Sequence, residues 1–135
     1  MPNRAPTVMI VNSNEDTVEM LRIHIEGAGM VTVACHVPDI KRGKVDFQDL
    51  MQQYKPDVAV WDIGPPYEEN WTFWNLLRTT AVAEELPFVL TTTNRAALLK
   101  ACGGECDPIE IMGKPYDLDE VVKAVQQALK KRKTN

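Results

Sequence analysis

Asp57-Val-Ala-Val-Trp-Asp62 is the stretch whose reading decides the fold. Its apolar residues stand side by side between two aspartates, with Pro56 before the run and Gly64-Pro-Pro66 after it. Alternation would leave one face wet. An unbroken apolar run reads as a strand buried on both faces, as in a parallel sheet. Toward the N-terminus, Thr7-Val-Met-Ile-Val11 and Val31-Thr-Val-Ala-Cys35 have the same character, and toward the C-terminus so do Pro87-Phe-Val-Leu-Thr91 and Ile109-Glu-Ile-Met112.

The segments between these runs are helical. Val18, Leu21, Ile25 and Ala28 share one helix face, Ser13 and Asp16 have capping-box spacing before it, and Gly27 and Gly29 end it. Residues 37–44 carry Pro, Gly and charges and read as a loop. Phe47, Leu50, Met51 and Tyr54 give the next helix its apolar face. Asn70 is placed to cap a helix to about Thr80, with Trp71, Phe73, Trp74 and Leu77 inward. The Ala/Leu-rich stretch from Asn94 to Cys102 stops at Gly103-Gly104. Asp117 and Glu120 open a last helix with the stripe Leu118, Val121, Val122, Val125 and Leu129. Strict β/α alternation predicts an α/β protein, a doubly wound parallel sheet of five strands with helices on both faces.

The chain has 135 residues, the size of one domain, and 44% are hydrophobic, enough for a core. Its net charge of −4 argues against nucleic acid as a partner. No apolar run nears the roughly 20 residues of a membrane span, and the N-terminus has no signal-peptide core. Three cysteines do not make a disulfide framework. The expectation is a single domain over 1–135, with its core at about 7–130, a basic tail after it, and a cytoplasmic location.

In open α/β sheets, ligands bind beyond the carboxyl ends of the strands. Asn12, Ser13, Cys35, Asp62, residues 91–93 and residues 113–115 fall there. Each of Asp62, Thr92 and Lys114 alone has an ordinary explanation: a turn former, a helix cap, a surface cation. Together they put a carboxylate, a hydroxyl and an ammonium at one crevice. That set suits a phosphoryl group on a carboxylate, with Asp62 as nucleophile and Thr92 and Lys114 as ligands of its oxygens.

In Lys55-Pro-Asp-Val-Ala-Val-Trp-Asp62, Pro66, Leu86-Pro-Phe-Val-Leu-Thr-Thr92 and Gly113-Lys-Pro-Tyr116, the chain resembles bacterial response-regulator receiver domains from about Thr7 to Leu129. The resemblance implies a flavodoxin-like three-layer sandwich with strand order 2-1-3-4-5. It implies that Asp62 is the phosphoacceptor for a histidine kinase, Thr92 the switch hydroxyl and Lys114 the phosphoryl contact, with a cis bond to Pro115. It also implies a Mg²⁺ site at Asn12, Ser13, Asp62 and Gly64.

The chain departs from the family at that metal site. Receivers carry two acids after the first strand; here Asn12 and Ser13 stand there. Mg²⁺ favours carboxylates. One unit-charge interaction at about 4 Å is worth about 4 kcal/mol at an effective dielectric of 20. Losing even a third of that weakens metal binding about tenfold. Glu15 and Asp16 follow two or three residues later and suit a helix start, with a single carboxylate reaching the metal through water as the alternative. Ile111 replaces the aromatic ring whose rotamer tracks the switch hydroxyl in the family. The expected cofactor is therefore none, or weak Mg²⁺.

Other features carry less. Cys102 and Cys106 read as loop and packing cysteines rather than zinc ligands with His24 or His36. The sequence has no P-loop and no Gly-x-Gly-x-x-Gly. Trp71, Phe73 and Trp74 read as core plus one exposed ring, with a partner patch as the alternative. Lys130-Lys-Arg-Lys133 suits a helix C-terminus, or the stub of a linker.

The leading expectation is a receiver-like signalling domain, unphosphorylated or weakly phosphorylated, that docks on a histidine kinase, a phosphotransfer protein or an output domain. A homodimer through the helix after the fourth strand, the fifth strand and the last helix is a further implication. Any enzymatic activity would be self-phosphorylation and dephosphorylation at Asp62. The alternatives are a conventional Mg²⁺-dependent phosphoacceptor and a flavin or small-ligand binder using Asn12-Ser-Asn14.

Overall fold

The computed structural model describes residues 4–44, 46–80, 83, 85–111 and 117–134. The elements are β1 (Thr7–Asn12), α1 (Glu15–Gly27), β2 (Val31–His36), α2 (Val37–Lys41), α3 (Phe47–Tyr54), β3 (Val58–Asp62), α4 (Tyr67–Leu77), β4 (Phe88–Thr92), α5 (Arg95–Ala101), β5 (Ile109–Glu110) and α6 (Leu118–Thr134). All strands pair in parallel, in the order β2-β1-β3-β4-β5. The sequence-based architecture is what the chain adopts.

β1 is buried along its whole length because it carries apolar side chains to both faces. Met9, Val11, Ala59, Trp61 and Leu90 pack on one face against Ile40, Phe47, Trp71, Trp74 and Leu98. Val8, Ile10, Val58, Val60 and Val89 pack on the other against Leu21, Ile25, Val121 and Val125. Trp61 anchors the first face. Its ring meets Phe47 edge-on at 6.0 Å and Phe88 at 6.2 Å, favourable aromatic arrangements. Deleting such a ring typically costs about 3–5 kcal/mol. Trp71 and Trp74 are buried and Phe73 partly so, so these rings are core.

Several local features differ from the sequence-based expectation. The cap of α1 is Asn14, not Ser13: Asn14 Oδ1 accepts from Thr17 N at 2.9 Å. The reason lies one step upstream, where Asn12 Oδ1 accepts from Asn14 N at 2.9 Å and turns the chain before the helix begins. Residues 37–41 form α2 rather than loop, with Pro38 in the first turn, where its missing N–H is harmless. α4 starts at Tyr67, so Asn70 lies within the helix instead of capping it. β5 has two residues, followed by one more ladder bond from Ile111 N to Thr92 O at 2.8 Å. Cys102 and Cys106 are joined as a disulfide just after α5, which the sequence reading did not foresee. Cys35 is free, and burial pushes its thiol up to about 11.

Candidate functional site

The carboxyl ends of the central strands are in register. Asp62 of β3 lies opposite Thr91 of β4, and Val11 of β1 lies beside Trp61. Because strand side chains alternate between faces, only one of the two adjacent threonines can face Asp62. It is Thr91, whose hydroxyl donates to Asp62 Oδ1 at 3.0 Å. Thr92, fully buried, donates to Ile63 O at 2.9 Å and accepts from Asn94 N at 3.3 Å. Its hydroxyl thus ties β4 to the loop after β3 and to the start of α5.

The Asp62 carboxyl is pushed up from 3.8 to about 6, chiefly because burial disfavours its charged form; the Thr91 hydrogen bond partly offsets this. Asn12 is buried, with Oδ1 engaged by Asn14 N. Ser13 is exposed. The carbonyl of Gly64 accepts from Asn70 Nδ2 at 2.8 Å. Ile111 is buried in the core on the α1/α6 face. Lys114, Pro115 and the expected cis bond between them lie outside the described residues.

The residues that the receiver resemblance assigns to Mg²⁺ are poor in charge. Asp62 is the one carboxylate among Asn12, Ser13, Asp62 and Gly64, and its environment resists ionisation. The Asn12 amide oxygen and the Gly64 carbonyl both already accept hydrogen bonds. Among the described residues, no group of three or more His, Cys, Asp or Glu side chains gathers to hold a metal.

A cavity of about 620 Å³ opens beside Asp62, with Ser13 at its rim and Trp61 and Phe73 in its wall. Lys41 and Arg42, from the end of α2, also line it. Lys41 Nζ donates to Asn70 Oδ1 at 2.7 Å, lies 3.5 Å from Glu69 Oε1 and stands 5.9 Å from the Phe73 ring centroid. A larger hollow of about 1070 Å³, between Trp74, Phe88, Cys106 and Lys131, contains neither Asp62 nor either threonine and lies away from this chemistry.

Asp62 and the strand end at 91–93 are legible in the sequence, with Thr92 favoured there over Thr91, whereas the site roles of Lys41, Arg42 and Asn70 are not. The Thr91–Thr92 pair signalled a hydroxyl, yet the choice between them depends on register. The two cations were hidden in a segment read as loop.

No protein-family model matches the chain. The transcriptional regulatory protein GltR of Pseudomonas aeruginosa is 19% identical over 125 residues, 93% of this chain; the chain spans about half, 49%, of that relative. A signal receiver domain from Clostridium thermocellum superposes with a TM-score of 0.67 at 20% identity, covering 93% of this chain and 98% of that one. The Vibrio cholerae chemotaxis protein CheY4 gives 0.67 at 18% identity over 93% of this chain and 100% of that one. NtrX from Brucella abortus gives 0.69 at 18% identity over 97% of this chain and 28% of that longer one. The fold is that of response-regulator receiver domains. Among the described residues, no helix is long and apolar enough to cross a membrane.

Proposed function

We propose that the chain is a receiver domain of two-component signalling that acts by docking on a protein partner, with Asp62 unphosphorylated or only weakly so. The observation that carries this reading is the missing acidic pair. Asn12 and Ser13 stand where a receiver needs carboxylates, and the oxygens of Asn12 and Gly64 are already used inside the protein. Phosphoryl transfer depends on cations that neutralise the charge on the moving group. Asp62 is the one carboxylate of that metal set, so a cation there meets one negative charge instead of three.

In this reading residues 1–135 form one receiver-like domain and Lys130-Lys-Arg-Lys133 is its basic tail. The partner is a histidine kinase, a phosphotransfer protein or an output domain. The test is incubation with Mg²⁺ and acetyl phosphate, followed by intact mass measurement. The expected spectrum shows the unmodified chain, with at most a trace of adduct. A dominant adduct of one phosphoryl group, abolished by Asp62→Ala, would make the chain a conventional phosphoacceptor.

A further inference from the structure

We propose that the cavity beside Asp62 is a binding site for a small aromatic anion: a planar ring carrying a carboxylate or phosphate group. The proposal deepens the functional reading and rests on it in one respect, that no metal competes for the space beside Asp62. The volume of about 620 Å³ lies within the range of small-molecule sites. Phe73, partly buried, and the prolines Pro38, Pro65 and Pro66 supply rigid apolar walls for a ring, with the fully buried Trp61 behind them.

The charge of the lining selects the ligand's sign. Among the described residues that line it, Lys41 and Arg42 are the cations and Asp62 is the one carboxylate. Lys41 is held in place by Asn70 and by the face of Phe73, and Asn70 is fixed in turn by Gly64 O. An acid group entering here meets an ammonium oriented in advance, so little ordering is required on binding. Glu69 at 3.5 Å competes for Lys41 but does not line the cavity, and an exposed pair of this kind is weak and readily exchanged. Ser13 offers a hydroxyl at the rim. A metal-binding receiver would present acids here and repel an anion. In this chain the polarity is reversed, and occupancy of the cavity replaces phosphorylation as the local signal at Asp62.

The test is a titration of the full chain with indole-3-carboxylate and with adenosine 5′-monophosphate, each beside its uncharged counterpart, indole-3-carboxamide and adenosine. It is read by calorimetry and by ¹H–¹⁵N NMR shifts. The expected result is saturable binding of at least one anion, about tenfold or more tighter than its neutral counterpart, with shifts centred on Ser13, Lys41, Arg42 and the Asn70 amide. The two anions separate a carboxylate ligand from a phosphate one. Lys41→Gln with Arg42→Gln should weaken binding about tenfold or more while leaving the circular dichroism spectrum unchanged. Should that pair disturb the fold, Arg42→Gln alone replaces it.

Equal binding of acid and neutral forms, an unchanged affinity in the charge variant, or no saturable binding of either anion at millimolar concentration would overturn the proposal. The functional reading fails separately. A chain that is phosphorylated at Asp62 yet binds an anion keeps the cavity and loses the docking account. A chain that does neither loses the cavity alone.

Discussion

Thr91 Oγ1 donates to Asp62 Oδ1 at 3.0 Å, so the hydroxyl that steadies the strand-end carboxylate comes from the first of two adjacent threonines. A hydrogen bond to a carboxylate stabilises its charged form and lowers its pKa. Thr91→Val should therefore raise the Asp62 pKa further above its value of about 6. A ¹³C NMR titration of the Asp62 side chain checks this. Thr92→Val, whose hydroxyl faces Ile63 O instead, should leave that titration nearly in place.

The raised carboxyl also makes stability depend on pH. Between 3.8 and about 6 the folded chain holds a proton at Asp62 that the unfolded chain has released. Stability therefore falls as pH rises through that window, and the loss is complete above it. Asp62→Asn keeps an oxygen for Thr91 and removes the buried charge. It should stabilise the domain by about 1–3 kcal/mol at pH 8. The gain should vanish near pH 3, where the acid is neutral in both states. Urea unfolding of both proteins at the two pH values measures it.

Thr92 carries a separate structural load. Its buried hydroxyl bonds both Ile63 O and Asn94 N, and Asn94 Oδ1 in turn accepts from Ala97 N at 3.0 Å to cap α5. Thr92→Val leaves the Ile63 carbonyl without that donor and should cost about 1–3 kcal/mol. Asn94→Ala should cost about 0.5–2 kcal/mol. The bond between them is donated by the Asn94 backbone N–H, which Asn94→Ala retains, so the losses in a double variant should come close to the sum of the single losses. Denaturant midpoints of the three proteins decide it.

The sheet was legible because Val8 to Val11 and Val58 to Trp61 are short, uninterrupted apolar runs rich in β-branched residues, as strands covered on both faces are. Helix faces followed from spacing, as with Leu21 and Ile25 or Val121 and Val125. Boundaries were less legible where side chains act at a distance. Asn70 has the chemistry of a cap, but its amide is spent on Gly64 O and Lys41, and α4 begins three residues earlier. Asp62 was visible as a strand-end acid. That Thr91 rather than Thr92 faces it depends on the pairing of Asp62 with Thr91 across two strands, which local sequence does not encode. The cations of the cavity arrive from α2, a turn-and-a-half of helix whose Pro38 resembles a loop signal until the first-turn position is seen.

The proposed loss of Mg²⁺ affinity beside Asp62 traces to the absence of charge at Asn12 and Ser13. Calorimetric titration with Mg²⁺ of the wild type and of the double variant Asn12→Asp, Ser13→Asp tests it most directly. The expected result is no saturable heat from the wild type at millimolar Mg²⁺ and an affinity at least about tenfold higher in the double variant. Saturable Mg²⁺ binding by the wild type, unchanged when the two acids are installed, would contradict it.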